Sequence, residues 1–243
     1  MRRLAFILFC ACLGLIATPS PVRADSANSE LEDLRSKLSA EWLLVKYDRT
    51  HNIRTYARVE DGKRYRSFKV EATLDTPVEP LARVLLDFNN YTRWFWKTRE
   101  STLIRQDSPT EYFLYMVHSA PYGLPDRDTV IRATVEPQGK NHPYVILRTT
   151  AVPDQRPLRP PFVRVAAEEM TIRLTPKPGN QVEMVVEGYF DPGGVVPVWA
   201  ANLVQRSAPY TVMLALQRMT ESPDYRSAKA PLPFPVFDYE KLP

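Results

Sequence analysis

The chain has 243 residues, with 32 Lys and Arg against 28 Asp and Glu, for a formal net charge of +4. Three of the basic residues lie in the first 24 positions, and without them 29 basic residues balance 28 acidic ones. That balance argues against a basic nucleic-acid-binding surface, so no nucleic acid partner is expected. Both cysteines, Cys10 and Cys12, lie in the same N-terminal segment, so the rest of the chain can form neither disulfides nor thiol-based catalytic sites.

The N-terminal segment has the composition of an export signal. Arg2 and Arg3 form a basic start, and Leu4–Ala17 is an apolar run too short to span a bilayer comfortably. Small residues around Ala24 permit cleavage before Asp25, although an uncleaved anchor is the alternative. Residues 1–24 are therefore predicted to be a signal peptide. An export signal with a cysteine-free product suits the bacterial periplasm better than a eukaryotic lumen, so the mature protein is expected in the periplasm.

Alternation of apolar and polar residues predicts many strands after this segment. A turn at Asp61-Gly62 joins the second and third strands, and Thr76-Pro77 opens a helix over Val78–Asp87. The aromatic cluster Tyr91–Trp96 follows, and its tryptophans can either pack in the core or contact a bilayer transiently. The predicted strands are Trp42–Tyr47, Ile53–Glu60, Phe68–Leu74, Ser101–Arg105, Glu111–Ser119, Thr129–Glu136, Tyr144–Ala151, Ala166–Thr175 and Gln181–Phe190.

The last strand leads into a Gly193-Gly194 turn and then a long helix opened by Pro197. Apolar and small residues cover roughly 200° of this helix, about twice the usual stripe, so a concave surface must enclose it. Pro209 removes one helical hydrogen bond and is either a hinge for ligand entry or a tolerated bend. The predicted centre of the apolar arc comprises Ala200, Val204, Ser207, Ala208, Thr211 and Ala215, and the predicted polar sector comprises Asn202, Gln205, Arg206 and Pro209.

Many antiparallel strands, one internal helix and one long final helix predict an α+β fold, with a curved antiparallel sheet wrapped around the final helix. The domain is predicted to cover residues 25–221. Residues 222–243 form a proline-rich tail that is expected to lie extended on the surface.

Few residues suggest catalysis. None of the three histidines has a metal-ligand partner at i+2 to i+4, and neither a nucleophile elbow nor a phosphate-binding glycine loop is present. No metal, cofactor or enzymatic activity is therefore expected. His118 and Glu168 do lie on otherwise apolar strand faces, and each is either a polar anchor in a cavity or a strand-end residue that meets solvent.

Three motifs occur in order: Tyr91-x-x-Trp94, then Pro121 with Arg127-Asp128, then Asp191-Pro192-Gly193-Gly194-x-x-Pro197-x-Trp199-x-x-Asn202. Together they make the chain, from about Trp42 to Met219, resemble a START domain, the lipid-transfer family with the helix-grip fold. The resemblance implies one lipid-sized cavity between the sheet and the C-terminal helix, with that helix as its lid. It also implies binding or transfer of a lipid without catalysis.

From this resemblance we expect ligand-binding side chains on the inner strand faces and on the helix. Arg132 is a candidate because sterol-binding members have an arginine at the corresponding place, whereas alternation with Ile131 and Ala133 puts it on the opposite face. A bulge would reverse that placement. The expected ligand-binding residues are Met116, His118, Arg132, Glu168, Met184, Trp199, Ala200, Leu203, Val204, Ser207, Tyr210 and Thr211.

Three hypotheses about function follow. The first is an exported, monomeric START-like carrier of a lipid or sterol-like hydrophobic ligand. The second is an enzyme on the same fold, as in cyclase- and aromatase-like relatives. The third is an interaction module whose cavity is filled by its own side chains.

Overall fold

The computed structural model describes residues 41–121 and 123–242, except for the side chains at 198, 202, 203, 205 and 206. The predicted signal peptide lies outside these residues. The helices in the described part are α1 (Val78–Leu86), α2 (Val198–Glu221) and the short α3 (Pro223–Arg226). The strands are β1 (Leu43–Asp48), β2 (Ile53–Arg58), β3 (Ser67–Leu74), β4 (Thr98–Ser108), β5 (Glu111–His118), β6 (Arg127–Glu136), β7 (Val145–Ala151), β8 (Val163–Arg164), β9 (Ala167–Lys177) and β10 (Gln181–Asp191).

These strands form one sheet in the order β1-β2-β3-β10-β9-β7-β6-β5-β4, and β8 pairs with β6. All pairs are antiparallel except the short one between β8 and β6. The last long strand, β10, lies between β3 and β9 and so joins the first three strands to the rest. The predicted α+β class with an antiparallel sheet and a long C-terminal helix is confirmed.

One face of the sheet carries the main core. Buried side chains of α1, among them Leu81, Val84 and Leu85, pack there against alternate residues of the strands. Of the aromatic cluster after α1, Tyr91 and Trp94 are buried, and the Tyr91 hydroxyl donates a 2.6 Å hydrogen bond to the Leu85 carbonyl oxygen. Core packing is therefore the correct interpretation of Trp94, whereas Trp96 is only half-buried.

The opposite face is covered over part of β5 and β6 by the segment between β7 and β9. Tyr115, Val117 and Val130 form a small outer core with the half-buried Val152 and Phe162 of that segment. Because residues of β5 are buried on both faces, this strand is a nearly continuous apolar run rather than an alternating one.

Gly193 sets the direction of the chain between β10 and α2. Its φ of +68° lies in the left-handed region, and a Cβ atom there would stand 2.4 Å from the Arg164 carbonyl oxygen. The Asp191 carboxylate accepts a 2.9 Å hydrogen bond from the Gly193 N–H and fixes the turn. Pro197 then occupies the N-cap position, and α2 continues through Pro209 to Glu221.

The C-terminal tail is part of the core, whereas the sequence predicted an extended surface segment. Tyr225 and Phe234 are buried in the main cluster. The Gln138 side chain hydrogen-bonds both the N–H and the carbonyl oxygen of Phe237, at 2.7 and 2.8 Å. The Asp238 carboxylate accepts a 2.8 Å bond from the N–H of Val78, the first residue of α1. The tail thus packs with α2 in the core and connects the start of α1 to the residues that follow β6.

Candidate ligand-binding cavity

A cavity of about 220 Å³ lies between the inner face of the sheet and α2. That is an order of magnitude more than the ~10–15 Å³ that one water molecule needs by the same measure. Its wall is almost wholly apolar. The strands contribute mainly Phe68, Val70, Met170, Ile172, Met184 and Val186, and the aromatic cluster contributes Trp94, Phe95 and Trp96.

The helix faces the cavity with an arc about as wide as predicted, but this arc is rotated toward the residues that follow the predicted centre by one position. Ala200 and Val204 line the cavity as expected, and the predicted arc residue Ala208 lines it too. Pro209, predicted to lie in the polar sector with Gln205 and Arg206, also lines the cavity. The remaining helical lining residues are Ala201, Val212, Met213 and Leu216.

Four predicted helix residues do not line the cavity. Trp199 is 61% exposed at the start of α2, and Thr211 is exposed with its hydroxyl donating to the Ser207 carbonyl oxygen at 3.0 Å. The half-buried Ser207 hydroxyl turns back to the Val204 carbonyl oxygen. These three predictions of cavity placement were wrong because the arc was centred too far toward the solvent side of the helix. Leu203, also predicted, lies outside the described side chains.

Tyr210, the fourth, packs at the edge of the main core and joins the helix to the sheet edge. Its hydroxyl donates a 2.6 Å hydrogen bond to the Asp48 carboxylate at the end of β1. The Lys46 ammonium lies 3.2 Å from the centre of the Tyr210 ring, a cation–π contact. The residue therefore holds α2 against β1 instead of facing the cavity.

The two predicted methionines occupy different places. Met184 of β10 lies in the cavity wall. Met116 of β5 is buried beside a smaller neighbouring void of about 30 Å³, which Leu114 and Ile131 also line. Glu168 lines both spaces, so it marks their common boundary.

Arg132 lies on the outer face of the sheet, as strand alternation indicates, and its prediction as a cavity residue was wrong. Its guanidinium is half exposed and forms a 2.5 Å ion pair with Glu111 of the neighbouring strand. The register of β5 and β6 is unbroken through the pair Phe113–Arg132, so no bulge reverses the orientation.

Glu168 is buried in the cavity wall. Its carboxyl group accepts a long hydrogen bond of 3.4 Å from the Thr129 hydroxyl of β6. Burial disfavours the charged form and raises the pKa of Glu168 to about 7, while the Thr129 hydrogen bond acts weakly in the other direction. The group is therefore partly protonated near neutral pH and can donate as well as accept a hydrogen bond.

His118 ends β5 at the same wall. Its Nδ1 atom lies 3.2 Å from the Thr98 hydroxyl and 3.3 Å from the Trp96 carbonyl oxygen. Burial lowers the pKa of His118 to about 4, although the hydrogen bond to Trp96 raises it in part. The imidazole is thus neutral at physiological pH.

Arg127, which was not among the predicted ligand-binding residues, also lines the cavity and is only 5% exposed. Its Nε donates to the Pro192 carbonyl oxygen at 3.4 Å and its Nη1 donates to the Pro125 carbonyl oxygen. The next residue, Asp128, points to the outer face and forms a buried 2.9 Å ion pair with Arg164. The Arg127-Asp128 pair in the sequence was the available signal, because alternation places its two members on opposite faces.

Within residues 41–121 and 123–242, His, Cys, Asp and Glu side chains nowhere form a group of three that could hold a metal ion. Over the same residues, the model contains no helix with the length and hydropathy needed to cross a bilayer.

An antiparallel sheet that grips a long C-terminal helix over an apolar cavity defines a helix-grip protein. The sequence matches the START domain family over residues 23–225, and the chain belongs to that family. It is thus a member of a family associated with hydrophobic ligands.

Several individual proteins are similar to the chain. A STAR-related lipid transfer protein fragment from Xanthomonas axonopodis superposes with a TM-score of 0.68 at 29% identity, covering 74% of this chain and 99% of the fragment. The human StAR-related lipid transfer protein 5 superposes with a TM-score of 0.67 at 14% identity, covering 82% of this chain and 96% of that protein. At this low identity the similarity shows only a shared fold. An uncharacterised Pseudomonas aeruginosa protein is 23% identical over 184 residues, 76% of this chain and 89% of the relative.

Proposed function

We propose that this START domain is an exported, non-enzymatic carrier that holds one lipid or lipid-like molecule in the cavity under α2. The observation that carries the proposal is the apolar wall, where small helix residues such as Ala200 and Ala208 face Met184 and Val186 across open space. Burial of each CH₂ group of a ligand there would contribute ~0.8 kcal/mol. The similarity to a bacterial STAR-related lipid transfer protein supports transfer as the purpose of binding.

The absence of catalysis is part of the proposal. The two acid–base groups in the wall are separately engaged: His118 contacts Thr98 and Trp96, and Glu168 contacts Thr129. A neutral histidine without a carboxylate partner is a weak general base. Lipid recovered chemically unchanged from the protein would agree with this, and turnover of an added lipid would contradict it.

Export and membrane contact complete the proposal. The N-terminal segment has the pattern of a cleaved signal, so the mature chain should begin near Asp25 and be released when the outer envelope is opened. An intact Leu4–Ala17 found by N-terminal sequencing would contradict this. Transient contact with a bilayer is supported by the exposed Val195 and Trp199 where α2 begins. Co-sedimentation of the monomeric protein with phospholipid vesicles is the measurement for that contact.

The carrier is tested by filling its cavity. Val204→Trp places an indole in the space under α2, so lipid bound per protein should fall severalfold while the lipid-free protein keeps its melting temperature. Overpacking of a solid core would instead cost ~1–3 kcal/mol and lower that temperature by several degrees. Denaturing mass spectrometry measures the bound lipid.

Thr211→Trp is the matched control, because position 211 lies on the exposed side of the same helix. It should leave both lipid occupancy and melting temperature unchanged. A wild-type protein that never holds lipid, together with a lower melting temperature of Val204→Trp, would favour the filled-core interaction module.

A further inference from the structure

The polar groups of the cavity gather at one end through the register of three strands. His118 and Arg127 are directly opposite in the β5–β6 pair. Thr129 follows Arg127 on the same face of β6 and reaches Glu168 of β9. Strand β7 lies between β6 and β9 but ends at Ala151, opposite Ile131. Beyond that point no strand separates β6 from β9, so the Thr129 hydroxyl can reach Glu168 directly.

The Arg127 guanidinium at this end is buried without a carboxylate partner among the described residues. Its two hydrogen bonds go to the carbonyl oxygens of Pro192 and Pro125, which carry no net charge. The adjacent acid Asp126 favours the charged guanidinium through space, but its carboxylate makes its hydrogen bonds to Arg99 and to the Ala120 N–H, and burial still lowers the pKa of Arg127. A buried cation in this situation is destabilising unless something brings a compensating charge.

The other ionisable side chains of the cavity wall do not supply that charge. Burial raises the pKa of Glu168 to about 7 and lowers that of His118 to about 4, so near neutral pH the first is partly protonated and the second uncharged. Glu169 reaches the rim, but alternation puts it on the opposite face from Glu168, where it is exposed. The cavity wall therefore offers the Arg127 guanidinium no hydrogen-bonded carboxylate among the described residues.

We propose, on the basis of the proposed carrier function, that the bound amphiphile has an acidic head group whose anionic oxygens pair with Arg127. Its apolar part then fills the space under α2, lined by Ala200, Val204 and Ala208. Guanidinium groups bind carboxylate and phosphate oxygens through two parallel hydrogen bonds, which gives them both strength and orientation. The protonated form of Glu168 can donate a further hydrogen bond to the same head group.

The experiment compares three ligands that share one C18 chain and differ in the head group: oleate, oleyl phosphate and oleyl alcohol. Each is titrated into delipidated mature protein below its micelle concentration. Hydrogen bonds to a charged group predict that at least one acidic ligand binds about 10- to 100-fold more tightly than the alcohol. Whichever acid binds more tightly identifies the source, a free fatty acid or a phospholipid-type head.

Arg127→Met should reduce this preference to about one while the alcohol still binds, and Arg127→Lys, which keeps the charge, should retain part of it. Arg132→Met is the matched control on the outer face of the same strand and should keep the full preference. If Arg127→Met does not fold, the proposal is tested by the ratio of acid to alcohol affinity in the wild type and in Arg127→Lys.

Equal binding of alcohol and acids to the wild type would overturn the acidic head group and leave the carrier intact. So would an acid preference that survives in Arg127→Met. If none of the three ligands binds, the carrier function fails and this inference fails with it.

Discussion

The two halves of α2 face the same sheet with side chains of different size, and that difference decides where the protein is hollow. The first half presents Ala200, Ala201, Val204 and Ala208 to the cavity. Further along, Met213 and Leu216 close its far wall, and Met219 is buried in the main core beyond it. Protein interiors are close-packed where side chains are large enough to touch each other. The small side chains of the first half of α2 do not fill the space above the sheet, and this space can hold a ligand.

The tail adds to this contrast. Beyond the second half of α2, Tyr225 and Phe234 are buried against the same core, and the Tyr225 hydroxyl donates a 2.8 Å hydrogen bond to Asp87 after α1. Just before the first half, the Tyr65 hydroxyl donates a 3.4 Å hydrogen bond to the Val196 carbonyl oxygen. We call the region around Met219, Tyr225 and Phe234 the filled end, and the cavity under the first half of α2 the hollow end. The comparison indicates that packing at the filled end stabilises the fold, whereas the hollow end provides the space for a ligand.

The largest effect is expected at the filled end. Met219→Ala removes a buried side chain that does not line the cavity, so it should lower the free energy of unfolding by about 2–5 kcal/mol. Urea denaturation followed by circular dichroism measures the change. Thr211→Ala, an exposed position on the same helix, should stay within about 0.5 kcal/mol. A loss of less than about 1 kcal/mol for Met219→Ala would remove the distinction between the two ends.

Burial of Glu168 in the cavity wall should make the free energy of unfolding depend on pH. The pKa of Glu168 rises from its ordinary value of 4.5 to about 7 because the folded state buries the carboxyl group. Below pH 4.5 both states hold the proton, and between pH 4.5 and 7 the unfolded chain releases it first. The stability of the folded state therefore falls across this window and levels off above pH 7, by roughly 3 kcal/mol in all.

Glu168→Gln isolates that contribution because glutamine does not titrate. The difference in unfolding free energy between the variant and the wild type, measured in urea from pH 4 to 8, should grow in favour of the variant as pH rises. A difference that is independent of pH would place the Glu168 carboxyl in contact with solvent and make the hollow end accessible to water.

The elements themselves could be predicted because each depends on local pattern. Alternation located the strands to within a few residues, and Gly193 with Pro197 marked the start of α2. Strand alternation also placed Arg132 correctly on the outer face, although the family resemblance suggested the cavity. In this case the period of the strand was the better guide.

The site could be predicted only in part, because it depends on how elements are rotated against each other. The width of the apolar arc of α2 was read correctly, yet small residues occur on several sides of the helix and do not fix its rotation. Thr211 was therefore placed in the cavity, and Pro209 was placed outside it. For Arg127, the Arg127-Asp128 pair showed that one of the two side chains faces inward, but the lack of a hydrogen-bonded carboxylate at Arg127 follows from long-range packing and could not be predicted.

The smallest effect tests the tail at the filled end. Tyr225→Phe removes the hydroxyl that bonds Asp87, but that carboxylate keeps its hydrogen bonds from the Asn90 side chain at 2.9 and 3.0 Å. Because the acceptor stays satisfied, the unfolding free energy should fall by only about 0.5–1.5 kcal/mol. Burial and the neighbouring Asp87 raise the pKa of Tyr225 to about 12, so the loss should be the same at pH 6 and pH 9.

Lipid occupancy should not change, because Tyr225 does not line the cavity. Tyr239→Phe, at an exposed tail position, is the control and should be neutral. If Tyr225→Phe lowered lipid binding with no loss of stability, the tail would act on the cavity, and the two ends would not be separable.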